Sequence, residues 1–150
     1  MGTWPEVCAI AKQSGARQLN DTALLFEVQG AEHGSVQKVF VFHEVMQPDF
    51  EFLQIQSAFA SIQDVDVEKV IKDLGKLQVG AIGYSPFYDD DGDEIDGVIS
   101  ITTSIPLSPF DLSDPTPFLI YLHILAKAAN TIERNLAVTV APGPMALSLS

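Results

Sequence analysis

The sequence contains one cysteine and few basic residues, and each shortage narrows the class of protein. Cys8 alone cannot form an intramolecular disulfide, which fits a reducing compartment. Only 8 lysines and arginines accompany 20 aspartates and glutamates, so the formal net charge is −12. A surface this acidic repels nucleic-acid phosphates and anionic lipid headgroups. We therefore expect neither nucleic acid nor a membrane as a partner.

Long apolar runs and targeting signals are also missing. The longest apolar run, 118–126, is interrupted by His123 and is far shorter than the roughly 20 residues of a membrane span. The first residues, MGTWPEV, lack the basic start and apolar run of a signal peptide. These features predict a soluble cytoplasmic protein. A chain of 150 residues with 47% hydrophobic content is long enough for one domain, which we place at 1–136. The uncharged stretch 137–150 contains two prolines and is predicted to be a mobile tail.

The most periodic stretch of the chain predicts a long C-terminal helix. Ser113 or Asp114 can accept a hydrogen bond at its start, and Pro115 and Pro117 suit a first helical turn. The apolar residues recur every three or four positions, which is the spacing of a core-facing stripe. That stripe consists of Phe118, Leu122, Leu125, Ala129, Ile132 and Leu136. A solvated stripe is predicted on the other side, made of His123, Lys127, Asn130 and Arg134.

The remaining patterns predict an α+β domain. Thr3 and Glu6 have the spacing of a capping box, which begins a first helix that ends near Ser14, before Gly15. Alternating apolar and polar residues predict five strands, and three-and-four spacing before Gly75 predicts a short helix. The strands are 22–29, 37–45, 50–59, 79–88 and 95–105. We therefore expect a five-stranded antiparallel sheet with helices packed on it, in the order α-β-β-β-α-β-β-α. Gly80 and Gly83 suggest a bulge or a close backbone approach, for example where the long helix crosses.

The polar motifs do not carry a recognisable chemistry. The acidic run between the last two strands does not fit the ligand spacing of an EF-hand loop in either register, and Asp91-Gly92 is a common hairpin turn pair. The three histidines, His33, His43 and His123, have no metal-binding spacing among them. We therefore predict no catalytic, cofactor-binding or metal-binding residue, and no enzymatic activity. The alternative is a small-ligand or metal-dependent enzyme, or a calcium-binding protein, that uses the acidic hairpin or the histidines.

The apolar residues exceed what one small core requires. Ile120 and Ile124 lie off the main stripe of the last helix, and Phe40 and Phe42 share one face of a central strand. Apolar residues on a second face are typical of a partner surface or of an additional covering layer. We predict that these four residues form partner or dimer surfaces, with Ile120 and Ile124 on one and Phe40 and Phe42 on the other.

The order of these elements resembles the class I type III secretion chaperones and the similar YbjN family of bacterial regulators. The resemblance covers residues 4–136, and three segments carry it: TWPEVCAIAKQSG, VEKVIKDLGKL and DGVISITTSIPLSPFDLSDPTPFLIYLHILAKAANTIERNL. The long middle strands and the acidic hairpin are more similar to YbjN. Such a family implies a homodimer without catalytic apparatus. The expected function is then that of a chaperone-like protein or regulatory adaptor that binds a polypeptide partner.

Overall fold

A six-stranded antiparallel sheet and two helices make up the part of the chain that the computed structural model describes, which is residues 2–29, 36–47, 49–61, 68, 81–109 and 111–140. The strands lie in the order β1-β2-β3-β4-β6-β5, and every neighbouring pair is antiparallel. The predicted α+β class is confirmed. The elements are α1 (Trp4–Gln13), β1 (Arg17–Asn20), β2 (Ala23–Gln29), β3 (Val36–Gln47), β4 (Phe50–Ser61), β5 (Ala81–Tyr88), β6 (Glu94–Pro106) and α2 (Thr116–Val140).

The predicted number of five strands is wrong because β1 was not anticipated. Its sequence, RQLN, has Leu19 as its only apolar residue, and all four residues are exposed. It therefore lacks the alternation by which a half-buried strand is recognised. Pairing to β2 defines the strand instead, with Arg17 opposite Leu25 and Gln18 opposite Leu24. The predicted order is therefore wrong between the first helix and residue 61, where four strands and not three follow α1. The predicted short helix before Gly75 lies outside the described residues and stays a prediction.

Both helix starts follow from local hydrogen bonds. Thr3 caps α1, since its hydroxyl oxygen accepts the backbone N–H of Glu6 at 3.4 Å. The Thr3 hydroxyl in turn donates to the Glu6 carboxylate at 2.9 Å, whereas in a standard capping box the glutamate reaches the backbone N–H of the cap. Gly15 follows α1 with φ +76, which agrees with the predicted end. Of the two residues proposed to begin α2, Asp114 accepts the N–H of Thr116 at 3.0 Å.

The hydrophobic core lies between one face of the sheet and the two helices. α2 packs on β2, β3, β4 and β6, and the Phe118 ring meets Phe26 edge to face, with centroids 6.1 Å apart. The predicted stripe is buried at Phe118, Leu122, Leu125, Ala129 and Ile132. Sheet residues facing it include Leu24, Phe26, Val39, Val41, Leu53, Ile55, Ile101 and Ile105. Val7, Ile10 and Ala11 of α1 complete the same core.

Asn130 does not belong to the solvated stripe predicted for α2. It is 8% exposed, while His123, Lys127 and Arg134 are exposed as predicted. Asn130 follows the buried Ala129 and lies one turn after the buried Ala126. The buried side of the helix is therefore wider than its apolar stripe. The helix also continues to Val140, four residues beyond the predicted boundary of the domain.

Candidate partner-binding surfaces

Two isoleucines of α2 face away from the core. Ile120 is 52% exposed and Ile124 is 46% exposed, although the same helix buries Leu122 and Leu125 almost completely. Residues four apart lie one turn apart on the same side of a helix, so the two isoleucines form one apolar strip. Lys127, which is exposed, lies one further turn along the same side of the helix.

Phe40 and Phe42 lie on the sheet face opposite the helices. Val39 and Val41 between and beside them are fully buried in the core, and side chains alternate across a strand. The two phenyl rings stack with centroids 6.1 Å apart and an interplanar angle of 9°, and both side chains are partly exposed. The sheet separates them from Ile120 and Ile124. The four predicted surface residues therefore form two separate surfaces, one on α2 and one on the sheet.

The strand register explains why the two phenylalanines are only half-buried. On one side they oppose apolar residues of β2, since Phe40 pairs with Leu25 and Phe42 pairs with Ala23. On the other side they oppose Gln56 and Gln54 of β4. The aromatic pair thus lies between an apolar strand and an amide-rich strand, an arrangement that offers both apolar contact and hydrogen bonds to a partner.

A third apolar surface, at the end of the β3–β4 hairpin, was not anticipated. We define the β3–β4 tip as residues 44–47 and 49–51. Met46 is 71% exposed, and Val45 and Phe50 are also exposed. A β-bulge lies between Val45 and Gln47, and the Phe50 ring is 6.1 Å from that of Phe52. The sequence signal was three large apolar residues close to a turn, where polar residues are the norm.

His43 connects α1 to the sheet. Its ring stacks on the indole of Trp4, with centroids 5.0 Å apart and an interplanar angle of 7°, and its Nε2 lies 2.7 Å from Glu51 Oε1. The Trp4 indole N–H donates to the carbonyl of Asp21 at 2.9 Å. In the described part of the chain, the His43 ring forms no hydrogen bond with a hydroxyl or thiol, so the arrangement lacks the nucleophile of a nucleophile–base pair. His123 is exposed on α2, and His33 lies outside the described residues.

The acidic hairpin is shaped by one of its own carboxylates. Asp89 Oδ1 accepts the backbone N–H groups of Asp91 and Asp93, each at 2.9 Å, and the Asp89 carbonyl accepts the N–H of Gly92 at 3.1 Å. Gly92 has φ +84, while Asp91 does not have a positive φ. The loop is therefore a four-residue turn, 89–92, whose last residue is the left-handed Gly92, and not a two-residue Asp-Gly turn. Over the described ranges, no three histidine, cysteine, aspartate or glutamate side chains are grouped to hold a metal ion.

Tyr84 packs across the strands next to this turn. Its hydroxyl donates to the carboxylate of Glu94, and that hydrogen bond is the main reason that the pKa of Tyr84 is raised to about 12. The ring covers Gly97, where an added Cβ would lie 2.4 Å from Tyr84 Cε1. Gly83 also lies close to a neighbour, since an added Cβ there would be 3.0 Å from Thr102 Cγ2. That neighbour belongs to β6 and not to the long helix. Gly80 is outside the described residues.

A shallow cleft of about 400 Å³ separates α1 from β1 and β2, and Cys8, Lys12 and Gln18 are among its lining residues. Cys8 is half-buried, and this burial raises the pKa of its thiol. A raised pKa keeps the cysteine in the thiol form, which is the less nucleophilic one. Cys8 packs against the core as a small, partly buried residue.

Comparisons with family models, with curated proteins and with solved structures found no match for this chain. The resemblance to YbjN proteins and secretion chaperones therefore stays a prediction. Within the described residues, no helix is both long enough and apolar enough to cross a membrane.

Proposed function

We propose that this chain is a non-enzymatic protein-binding domain that forms a homodimer and holds a polypeptide partner, as a chaperone-like protein or a regulatory adaptor. The observation that carries the proposal is the exposed pair Ile120 and Ile124 on α2, a helix whose other side already fills the core. Exposed apolar strips of this kind are typical of interfaces between proteins.

The two predicted surfaces suit different roles. A helix strip that contains Ile120 and Ile124 can pack against the same strip of a second copy related by a twofold axis, because such an interface uses one patch twice. The face that contains Phe40 and Phe42 then remains available to a client segment, whose apolar side chains it would bury. This assignment of α2 to the dimer and of the sheet to the client is part of the proposal.

The test is the mass of the protein in solution, measured by light scattering across the micromolar range. We expect a dimer for the wild type and a folded monomer for the double variant Ile120→Asp/Ile124→Asp. The matched control is Leu19→Asp, which also replaces an exposed apolar residue with a charge but lies on β1. A monomeric wild type would contradict the proposed dimer, and an unfolded double variant would show that the isoleucines belong to the core.

The hydrogen-bonded pair of His43 and Glu51 is the observation that favours the alternative, an enzyme or ligand-binding protein. A carboxylate on one ring nitrogen orients an imidazole, as in many acid–base sites. Screening the wild type and His43→Gln against small-molecule libraries by thermal shift tests this alternative. A ligand that stabilises the wild type and not the variant would favour it over the protein-binding proposal.

A further inference from the structure

Strand β3 extends beyond its neighbour β2 and leaves a free edge. The β2–β3 register ends with Ala23 opposite Phe42, and one more bond runs from the N–H of His43 to the carbonyl of Thr22 at 2.8 Å. Residues 44–47 continue β3, and no strand in the described part of the chain pairs with them on that side. The backbone N–H of His43 points to the β2 side, and backbone groups of alternate residues point to the same side. Val45, two residues later, therefore presents its N–H and C=O along this free edge.

The free edge carries exposed apolar side chains. Val45 and Met46 are exposed, and so is Phe50 of the same tip, which pairs with Gln47. An unpaired strand edge with apolar side chains is a template for another strand, which proteins normally shield. Within the described residues, the charges of the tip and the β-bulge after Val45 are the features that could discourage nonspecific pairing.

The charges around the tip select the kind of strand that can pair there. Glu44, Asp49 and Glu51 belong to the tip, and Asp21 adjoins Thr22 at the end of β2. Lys38 is the only lysine or arginine of β3 and β4, and six residues of extended strand place it on the order of 20 Å from Glu44. A second copy of the tip would bring like charges together, which opposes pairing between copies. A basic partner would instead be attracted.

The geometry points to the 44–47 edge of β3 as the docking site of an extended polypeptide segment in which basic and apolar side chains alternate. The segment adds to the sheet in line with β2, with a lysine or arginine beside Glu44 and an apolar side chain beside Val45. This inference rests on the proposed function, since it names the chemical class of the polypeptide partner. It adds the 44–47 edge as a second contact for that partner, beside the face that contains Phe40 and Phe42.

The test uses a short fluorescent peptide of alternating lysine and valine, and fluorescence anisotropy with the full chain. Two kinds of control peptide are used with the same protein. The first is a peptide of alternating glutamate and valine. The second is a pair of lysine–valine peptides, one N-methylated at every lysine and the other at every valine. We expect micromolar binding of the unmodified lysine–valine peptide. The glutamate peptide and one N-methylated peptide should bind roughly tenfold more weakly or worse, because each lacks the charge or the backbone donors that the edge requires.

Protein variants distinguish peptide binding at the edge from peptide attraction by the net charge of the chain. Glu44→Lys/Asp49→Lys should weaken binding of the lysine–valine peptide roughly tenfold. The matched control Asp90→Lys/Asp93→Lys changes the net charge equally, in the acidic turn, and should leave the affinity unchanged. Val45→Pro removes the N–H on the free edge without removing a bond within the hairpin, and should also weaken binding.

Three results would overturn the inference. Equal weakening by the Asp90/Asp93 control would show attraction by net charge alone. Loss of binding only in Phe40→Asp/Phe42→Asp would move the site to the other sheet surface and leave the proposed function standing. No binding of the lysine–valine peptide at millimolar concentration would remove the site, while the light-scattering measurement of the dimer would still decide the proposed function.

Discussion

Truncation of the core-facing leucines of α2 should destabilise this chain strongly. Leu122 and Leu125 are 1% and 0% exposed. Leucine-to-alanine substitution removes three carbons, which is about 2.4 kcal/mol of transfer free energy at about 0.8 kcal/mol for each buried group. The cavity left behind adds to this, so we expect each variant to lose about 3–5 kcal/mol of unfolding free energy. That is a large share of the roughly 5–15 kcal/mol that stabilises a typical domain.

Thermal and urea unfolding followed by circular dichroism measure this loss. A domain of this size shifts its melting temperature by about 2–4 °C for each kcal/mol, so Leu125→Ala should melt about 10 °C below the wild type. Leu19→Ala is the matched control, because it makes the same truncation at an exposed position of β1 and should change the unfolding free energy by less than about 1 kcal/mol. Unchanged midpoints for both core variants would refute the packing of α2 on the sheet.

The remaining predictions concern the β5–β6 hairpin. The pKa of Tyr84 is raised from 10.0 to about 12 by its hydrogen bond to Glu94, so the contribution of this bond to stability should be complete below pH 10 and lost as the pH rises towards 12. An ultraviolet pH titration should show a late tyrosinate transition that Tyr84→Phe abolishes; its persistence in the variant would contradict the assignment. In the acidic turn, Asp89→Asn retains an oxygen for the two backbone N–H groups and should leave the melting temperature nearly unchanged, whereas Asp89→Ala should lose about 1 kcal/mol. Calcium should not shift the melting temperature of the wild type, and a calcium-dependent rise that Asp89→Asn removes would indicate a cation site.

Local signals in the sequence predicted the two described helices well. Thr3, Gly15 and Asp114 act through bonds or backbone angles within a few residues, so their spacing is sufficient to place α1 and the start of α2. The core stripe of α2 follows for the same reason, since helical periodicity is a property of the segment alone. The burial of Asn130 could not be predicted from the helix sequence, because it depends on how much of the helix surface the sheet covers.

The strand edges were the harder part to predict. β1 has no alternating pattern and exists because β2 offers it a partner, which is a contact between segments and not a property of RQLN. The pairing of β4 with β6 is likewise decided by the whole sheet. The free edge at Val45 depends on where β2 stops relative to β3, so only the register revealed it. Phe40 and Phe42 were placed on one face correctly because alternation along a single strand is local.

The position of β6 between β4 and β5 makes one pairing in the sheet a long-range one. Along the chain, β1, β2 and β3 each pair with the next strand, so these contacts close short loops. β6 must instead return to β4, where Phe52 pairs with Pro106, 54 residues later. Closing so long a loop costs more entropy and slows folding. During synthesis the β1–β4 meander can therefore form first, with the part of its inner face that α2 covers still exposed until α2 emerges from the ribosome.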